Sequence, residues 1–438
     1  MMIIKNEISY KANLLFLPVI LTVTMVFFSC ASALQFSSTE RNIPSDYTGI
    51  VHAGGTRTPE EFNLLNYLGT RWILHTFYWS SIENEHGVWN FQNLDEIVDM
   101  ANQAEIKTLG VLAYGNQNIQ TNKTSSRYIP SDDIPLFLEY VRRTVTHFRG
   151  RVDAWCIWNE PNTSNFWKGT DAEFYELMRL TADAVREVDS EVILLGGAVN
   201  RGVFGLQKKF INGLFESGSM DKVDGIAFHP YELNPVRTAR LYDDFRKLMK
   251  PWGFEDKIWI TEAGYPTGGW YPTKVAEKNF SSYVLKTFTL LAVRNTQILL
   301  WYQLFDPVDR QRSNSEDFFG LVRSSEDYTS KGSEAFRLCA TYISGTQLNT
   351  QDFRLENLPS SLNVYYFCGS ETNALVLWNN SPASIKIRAA LPGTGHTIHN
   401  IVTGAATAIQ DNFELRAGSE PVFITWQAGS TRSVILKR

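Results

Sequence analysis

From residue 47 to residue 342 the chain alternates β-branched or aromatic runs with longer stretches of helical periodicity, which leaves few folds open. Strand-like runs cover 48–53, 71–77, 107–113, 152–158, 191–196, 223–228, 257–261 and 297–302. Helix signals lie between them. Thr58-Pro59-Glu60-Glu61 is a capping box with proline at the first helical position. From Asp171 onward, Phe174, Leu177, Met178, Val185 and Val188 recur at helical spacing as one apolar stripe. Residues 331–342 supply the eighth helix. Eight such units predict a parallel sheet closed into a (β/α)8 barrel, a fold of about 250 residues.

After Gly345 the pattern changes to short runs without helical period: 364–367, 374–378, 385–391, 397–402 and 422–426. Turn signals such as Pro392-Gly393 and Asn379-Asn380-Ser381-Pro382 separate them, which predicts a small antiparallel β-sandwich packed on the barrel. At the other end, Lys5 and Lys11 precede an apolar run at 14–28 and small residues at 29–33. This is the layout of a secretory signal, too short to span a membrane. Two processing sites fit: cleavage after Ala31-Ser32-Ala33, or a lipoprotein-type box that would leave Cys30 lipidated as a membrane anchor. The expected organisation is therefore 1–33 signal peptide, 34–345 barrel and 346–438 sandwich, in a secreted or cell-envelope protein.

Without the signal, Cys156, Cys339 and Cys368 remain, scattered and without CxxC spacing, neither a disulfide framework nor a metal cluster. A formal net charge of -5 leaves no basic footprint for nucleic acid. Nothing in the sequence signals a cofactor or a metal.

Two of the predicted strands end on a carboxylate. Trp155-Cys156-Ile157-Trp158 is apolar, then stops at Asn159-Glu160-Pro161-Asn162, where proline ends sheet pairing. Lys257-Ile258-Trp259-Ile260-Thr261 stops at Glu262-Ala263-Gly264. The carboxyl ends of barrel strands carry the chemistry of this fold. A single glutamate there is more often a strand cap or an arginine partner. Two of them, on strands four and seven, suit glycoside hydrolysis, which needs one carboxyl to protonate the leaving oxygen and another to oppose the developing cation.

Residues 48–342 resemble the clan A glycoside hydrolases, closest to family 39, with family 5 as a near neighbour. The resemblance rests on Trp158-Asn159-Glu160-Pro161-Asn162, Trp259-Ile260-Thr261-Glu262-Ala263-Gly264, Phe228-His229-Pro230-Tyr231, and the second-strand loop from Trp79-Ser80-Ser81-Ile82-Glu83 to Gly87-Val88-Trp89-Asn90-Phe91. It implies that Glu160 is the acid/base, Glu262 the nucleophile, and that anomeric configuration is retained. It also implies that Asn159 binds a sugar hydroxyl, that His229 and Tyr231 orient the nucleophile, and that Trp301 floors the sugar site. Trp79, Trp167, Trp270 and Tyr271 lie in strand-to-helix loops that could stack sugars, and Glu83 reads as structural. Relatives often carry an arginine within strand two. Here that stretch reads Trp72-Ile73-Leu74-His75, with Arg71 too early, so His75 or His52 is expected to take over part of its role.

The expected activity is a retaining β-glycosidase acting on an oligo- or polysaccharide. Two alternatives use the same barrel: a carbohydrate-binding protein without turnover, and a transglycosylase using the same two glutamates.

Overall fold

The computed structural model describes residues 41–51, 58–121, 123, 125–202, 205–270, 274–311, 313–324, 330–429 and 433–438. The expected signal peptide with Cys30, together with His52 and Tyr271, lies outside the described residues.

Eight parallel strands close into a barrel in sequence order: Thr48–Val51, Trp72–Tyr78, Lys107–Ala113, Ala154–Ile157, Ile193–Asn200, Gly225–His229, Ile258–Ala263 and Leu299–Trp301. The eighth strand pairs with the first, Leu300 opposite Gly49, so the ring has no open edge. Local chemistry sets the outer helices. Thr58 caps Pro59–Tyr67 by accepting from the Glu61 amide. Thr170 and Glu173 form a reciprocal capping box on Asp171–Val188, whose buried face is the stripe of Phe174, Leu177, Met178 and Val185. The fifth strand departs from expectation, running four residues past Gly196 to Asn200, across a register shift between Gly196 and Val199. That extension carries Asn200 to the rim formed by the carboxyl ends of the strands.

The C-terminal unit is two stacked sheets. One has seven strands, in the order Arg41–Asn42, Gln347–Asn349, Leu362–Cys368, Thr372–Asn379, Val422–Gln427, Thr397–His399 and Ala406–Ala408. The other orders Phe353–Glu356, Val434–Lys437, Ile385–Ala390 and Asn412–Ala417, its first pair parallel and the rest antiparallel. Strand alternation splits the larger sheet between two cores. Val364, Tyr366, Leu375, Leu377, Ile424 and Trp426 face the small sheet. Their neighbours Tyr365, Phe367, Val376, Trp378 and Phe423 join the barrel's own core. The sandwich thus packs directly on the barrel. Its first strand lies upstream of the barrel, in the segment assigned by sequence to the barrel domain: Arg41 pairs with Leu348.

Candidate active site

The carboxyl ends of strands four to seven converge on one cluster. The fourth strand stops after Ile157, and the chain then turns sharply: Trp158 has φ 65 and Glu160 φ 45, left-handed values that non-glycine residues rarely adopt. Surrounding contacts hold this strain. Trp158 donates its indole N–H to the Phe166 carbonyl at 2.9 Å and meets Tyr114 and Trp167 edge-on. The Glu160 amide donates to the Ala198 carbonyl at 2.8 Å. Asn162 and Asn200 exchange two side-chain-to-backbone bonds that lock the turn to strand five.

One oxygen of the Glu160 carboxyl has two hydrogen-bond partners. Asn200 Nδ2 donates to Oε1 at 2.7 Å, and His229 Nδ1 lies 2.8 Å from the same atom. His229 is fully buried, with Nε2 2.9 Å from the Thr261 hydroxyl, so its ring is fixed at both ends. Its Nδ1 is also 3.5 Å from Glu262 Oε2, which accepts the Tyr231 hydroxyl at 2.8 Å. Ligand-type atoms of Glu160, His229 and Glu262 all fall within 4.8 Å of one another. These three could chelate a cation, but the space between His229 and Glu160 is already closed by a hydrogen bond.

Electrostatics couple the three groups. Burial, before any other cause, pushes Glu262 up to about 7; His229 opposes this, and the charges of Glu160 and Glu316 add to it. Burial disfavours the His229 imidazolium, yet the attraction of Glu262 and Glu160 wins and raises its proton affinity.

Residues 61–241 match the model of the Glycosyl hydrolases family 39. The chain is family 39-like. The matched segment contains Glu160, Asn200, His229 and Tyr231 and ends before Glu262. Among curated proteins, the endo-1,4-beta-xylanase B of Thermotoga neapolitana is 24% identical over 216 residues, 45% of this chain and 60% of that protein. A beta-xylosidase of Geobacillus stearothermophilus is 31% identical over 129 residues, 26% of this chain and 25% of that protein. The chain therefore spans less than two thirds of the length of these curated relatives. Among solved structures, a family 39 glycoside hydrolase from Bacteroides cellulosilyticus superposes with a TM-score of 0.70 at 18% identity, covering 87% of this chain and 81% of that one. A family 39 beta-xylosidase from Caulobacter crescentus gives 0.64 at 15%, covering 88% and 97%. At these identities the superpositions establish a shared fold.

Within this family 39-like barrel the residues singled out by sequence divide. Glu160, Glu262, His229 and Tyr231 come together as described. Asn159 stands beside them, bridged to Ala198 and near the Tyr114 hydroxyl. His75 is half-buried in strand two and meets Phe77 edge-on. The imidazole that faces Glu262, at 3.5 Å, is that of His229.

Two tryptophans need correction as sugar contacts. Trp79 is fully buried, stacks on Tyr140 and donates its indole N–H to Glu83 at 2.7 Å. It is a core residue of the second-strand loop, whose tip Glu83 also holds through the Gly87 amide. Trp301 is likewise fully buried, packed against Phe280, Phe288 and Tyr265 with its N–H on the Phe319 carbonyl. Strand alternation turns it outward to the helices. The next residue, Tyr302, faces inward, near Tyr231 at 6.5 Å between rings. Trp167, one of the loop aromatics, is also buried, at 4% exposure.

Three site residues escape a reading of the sequence. Asn200 ends the extended fifth strand. Tyr302 follows the last residue of strand eight. Glu316, in the long loop after that strand, lies near Tyr302, and its charge reaches Glu160 and Glu262. Burial of that carboxyl, then repulsion by Glu160, raises its proton affinity, and the nearby Tyr302 hydroxyl opposes the rise. The loop is clamped by a buried pair: Lys331 Nζ lies 2.7 Å from Asp306 Oδ2 and donates to the Phe318 carbonyl at 3.1 Å.

Proposed function

We propose that this chain is a retaining glycosidase that cleaves a β-linked glycoside or polysaccharide with Glu160 as acid/base and Glu262 as nucleophile. The observation that supports it most is the separation of the two carboxyls, which have oxygens within 4.8 Å of each other. Retaining enzymes place them about 5–5.5 Å apart, whereas inverting ones need about 6.5–9.5 Å to admit water.

The hydrogen bonds suit these roles. Asn200 and His229 both engage Glu160 Oε1, so a proton on the carboxyl belongs on Oε2, directed at the leaving oxygen. In the first step that proton passes to the glycosidic oxygen as its bond to the anomeric carbon breaks, and Glu262 forms an ester there. In the second step Glu160, now ionised, takes a proton from water as the water oxygen displaces Glu262. Tyr231 donates to the Glu262 carboxylate before and after the ester exists. The xylanase and xylosidase names of the relatives make β-xylosides the first substrates to try.

Proton NMR of the first-formed sugar from a 4-nitrophenyl β-glycoside tests the reading. A β-anomer appearing first is expected. An α-anomer appearing first rejects the double displacement, and no release across xylo-, gluco- and mannosides favours a binding protein without turnover. For location, the charged and apolar residues of 1–33 support export, with Cys30 as the lipid attachment point or Leu34 as the mature start; N-terminal analysis of the secreted material separates the two.

A further inference from the structure

The chain's twelve tryptophans are buried or half-buried with one exception, Trp270, which is 70% exposed. It lies in the loop after the strand that carries Glu262, on the same rim of the barrel. Its position is held by backbone packing. The Thr267 amide donates to the Phe318 carbonyl at 3.0 Å. Gly268 and Gly269 then seat the loop on residues 315–318. A Cβ on Gly269 would come within 2.6 Å of the Ser315 amide nitrogen, and its φ of +75 also favours glycine. Trp270 follows Gly269 and Glu316 follows Ser315, so this contact joins the two loops that carry these exposed residues. Glu316 in turn reaches Tyr302 and the charge of Glu262.

We propose that Trp270 and Glu316 form a subsite for a second sugar unit, so that the cleft takes a glycan chain and not only a single glycoside. The proposal rests on the glycosidase reading and deepens it. One face of a pyranose is lined with C–H groups and matches the electron-rich indole face, while its edge hydroxyls need acceptors. The rim supplies both. The occupant is a neutral, hydroxyl-rich sugar continuous with the one being cleaved.

The test compares kcat/KM for xylo-, cello- and mannohexaose with that for the matching 4-nitrophenyl glycosides. In the wild type the longer substrate is favoured. In W270A the ratio of long to short should fall about ten-fold, and in W270F it should stay near the wild-type value. A ratio unchanged in W270A overturns the subsite, as does an equal fall on both substrates. If the wild type turns over no member of the panel, the glycosidase reading fails on its own. Calorimetric titration with the hexaoses then decides the subsite: affinity weakened about ten-fold by W270A supports it, and unchanged or absent binding overturns it.

Discussion

His229 holds its Nδ1 2.8 Å from Glu160 Oε1 while Thr261 fixes the opposite ring nitrogen. Since that same Nδ1 is 3.5 Å from Glu262, one buried imidazole lies between the two carboxyls. The imidazole and the Glu262 carboxyl each change the other's proton affinity.

Azide distinguishes the two glutamates. Glu262→Ala should lower turnover by about 10⁴-fold or more, and azide should restore it by entering the vacated space to give an α-glycosyl azide. Glu160→Ala with an activated aryl glycoside should instead give a β-glycosyl azide, because azide then intercepts the ester from the opposite face. Product configuration by NMR checks both. The reverse pairing exchanges the roles.

The cluster sets the acid side of the pH–rate profile. Glu262 attacks only when ionised, and burial pushes it up to about 7, so kcat/KM should rise with pH toward neutrality. Glu316→Gln removes a negative charge that raises Glu262, so its acid limb should move to lower pH. His229→Gln removes the imidazole whose charge opposes the rise, and its limb should move to higher pH. Profiles that stay superimposable in both variants contradict the coupling.

The same shift has a sign in stability. Glu262 has an ordinary value of 4.5 and a raised one in the fold, so its contribution is fully present below about pH 4.5 and is lost as pH rises through about 7. Replacing it by Gln removes a buried carboxylate that is ionised at pH 8. Glu262→Gln should therefore raise Tm at pH 8, a gain of at most about 3 kcal/mol, and change it little at pH 4. Calorimetry at both pH values measures this. An equal gain at both would point to packing in place of charge.

Asp306 and Lys331 are paired at 2.7 Å with almost no exposure. Lys331→Met leaves a buried carboxylate without its partner and should cost about 3–5 kcal/mol in urea denaturation. Asp306→Asn on that background should recover most of the loss. A single variant as stable as the wild type would mean that the loop carrying Glu316 is held by other contacts.

Much of this was legible in the chain because strand patterning and strand ends are local signals. The fourth and seventh strands announce themselves as apolar runs broken at Glu160 and Glu262, and His229-Pro230-Tyr231 marks the end of the sixth. What stayed hidden depends on register and on long loops. Trp301 and Tyr302 are adjacent aromatics, and only the sheet's alternation decides which faces the helices and which the cleft. Trp79 looks like a loop platform until Tyr140 and Glu83 enclose it. Asn200 reaches Glu160 because of a register shift between Gly196 and Val199, which no residue type announces. Glu316 belongs to a loop whose path is set by an ion pair at its base.

The pairing of Arg41 with Leu348 ties the residues before the first barrel strand to a segment made after the eighth. A fragment ending at residue 345 would lack that partner and leave Trp378's side of the docking surface bare. On the ribosome, the residues just ahead of the barrel must therefore wait for the sandwich to emerge, so the two units mature together and an isolated barrel is a poor candidate for expression.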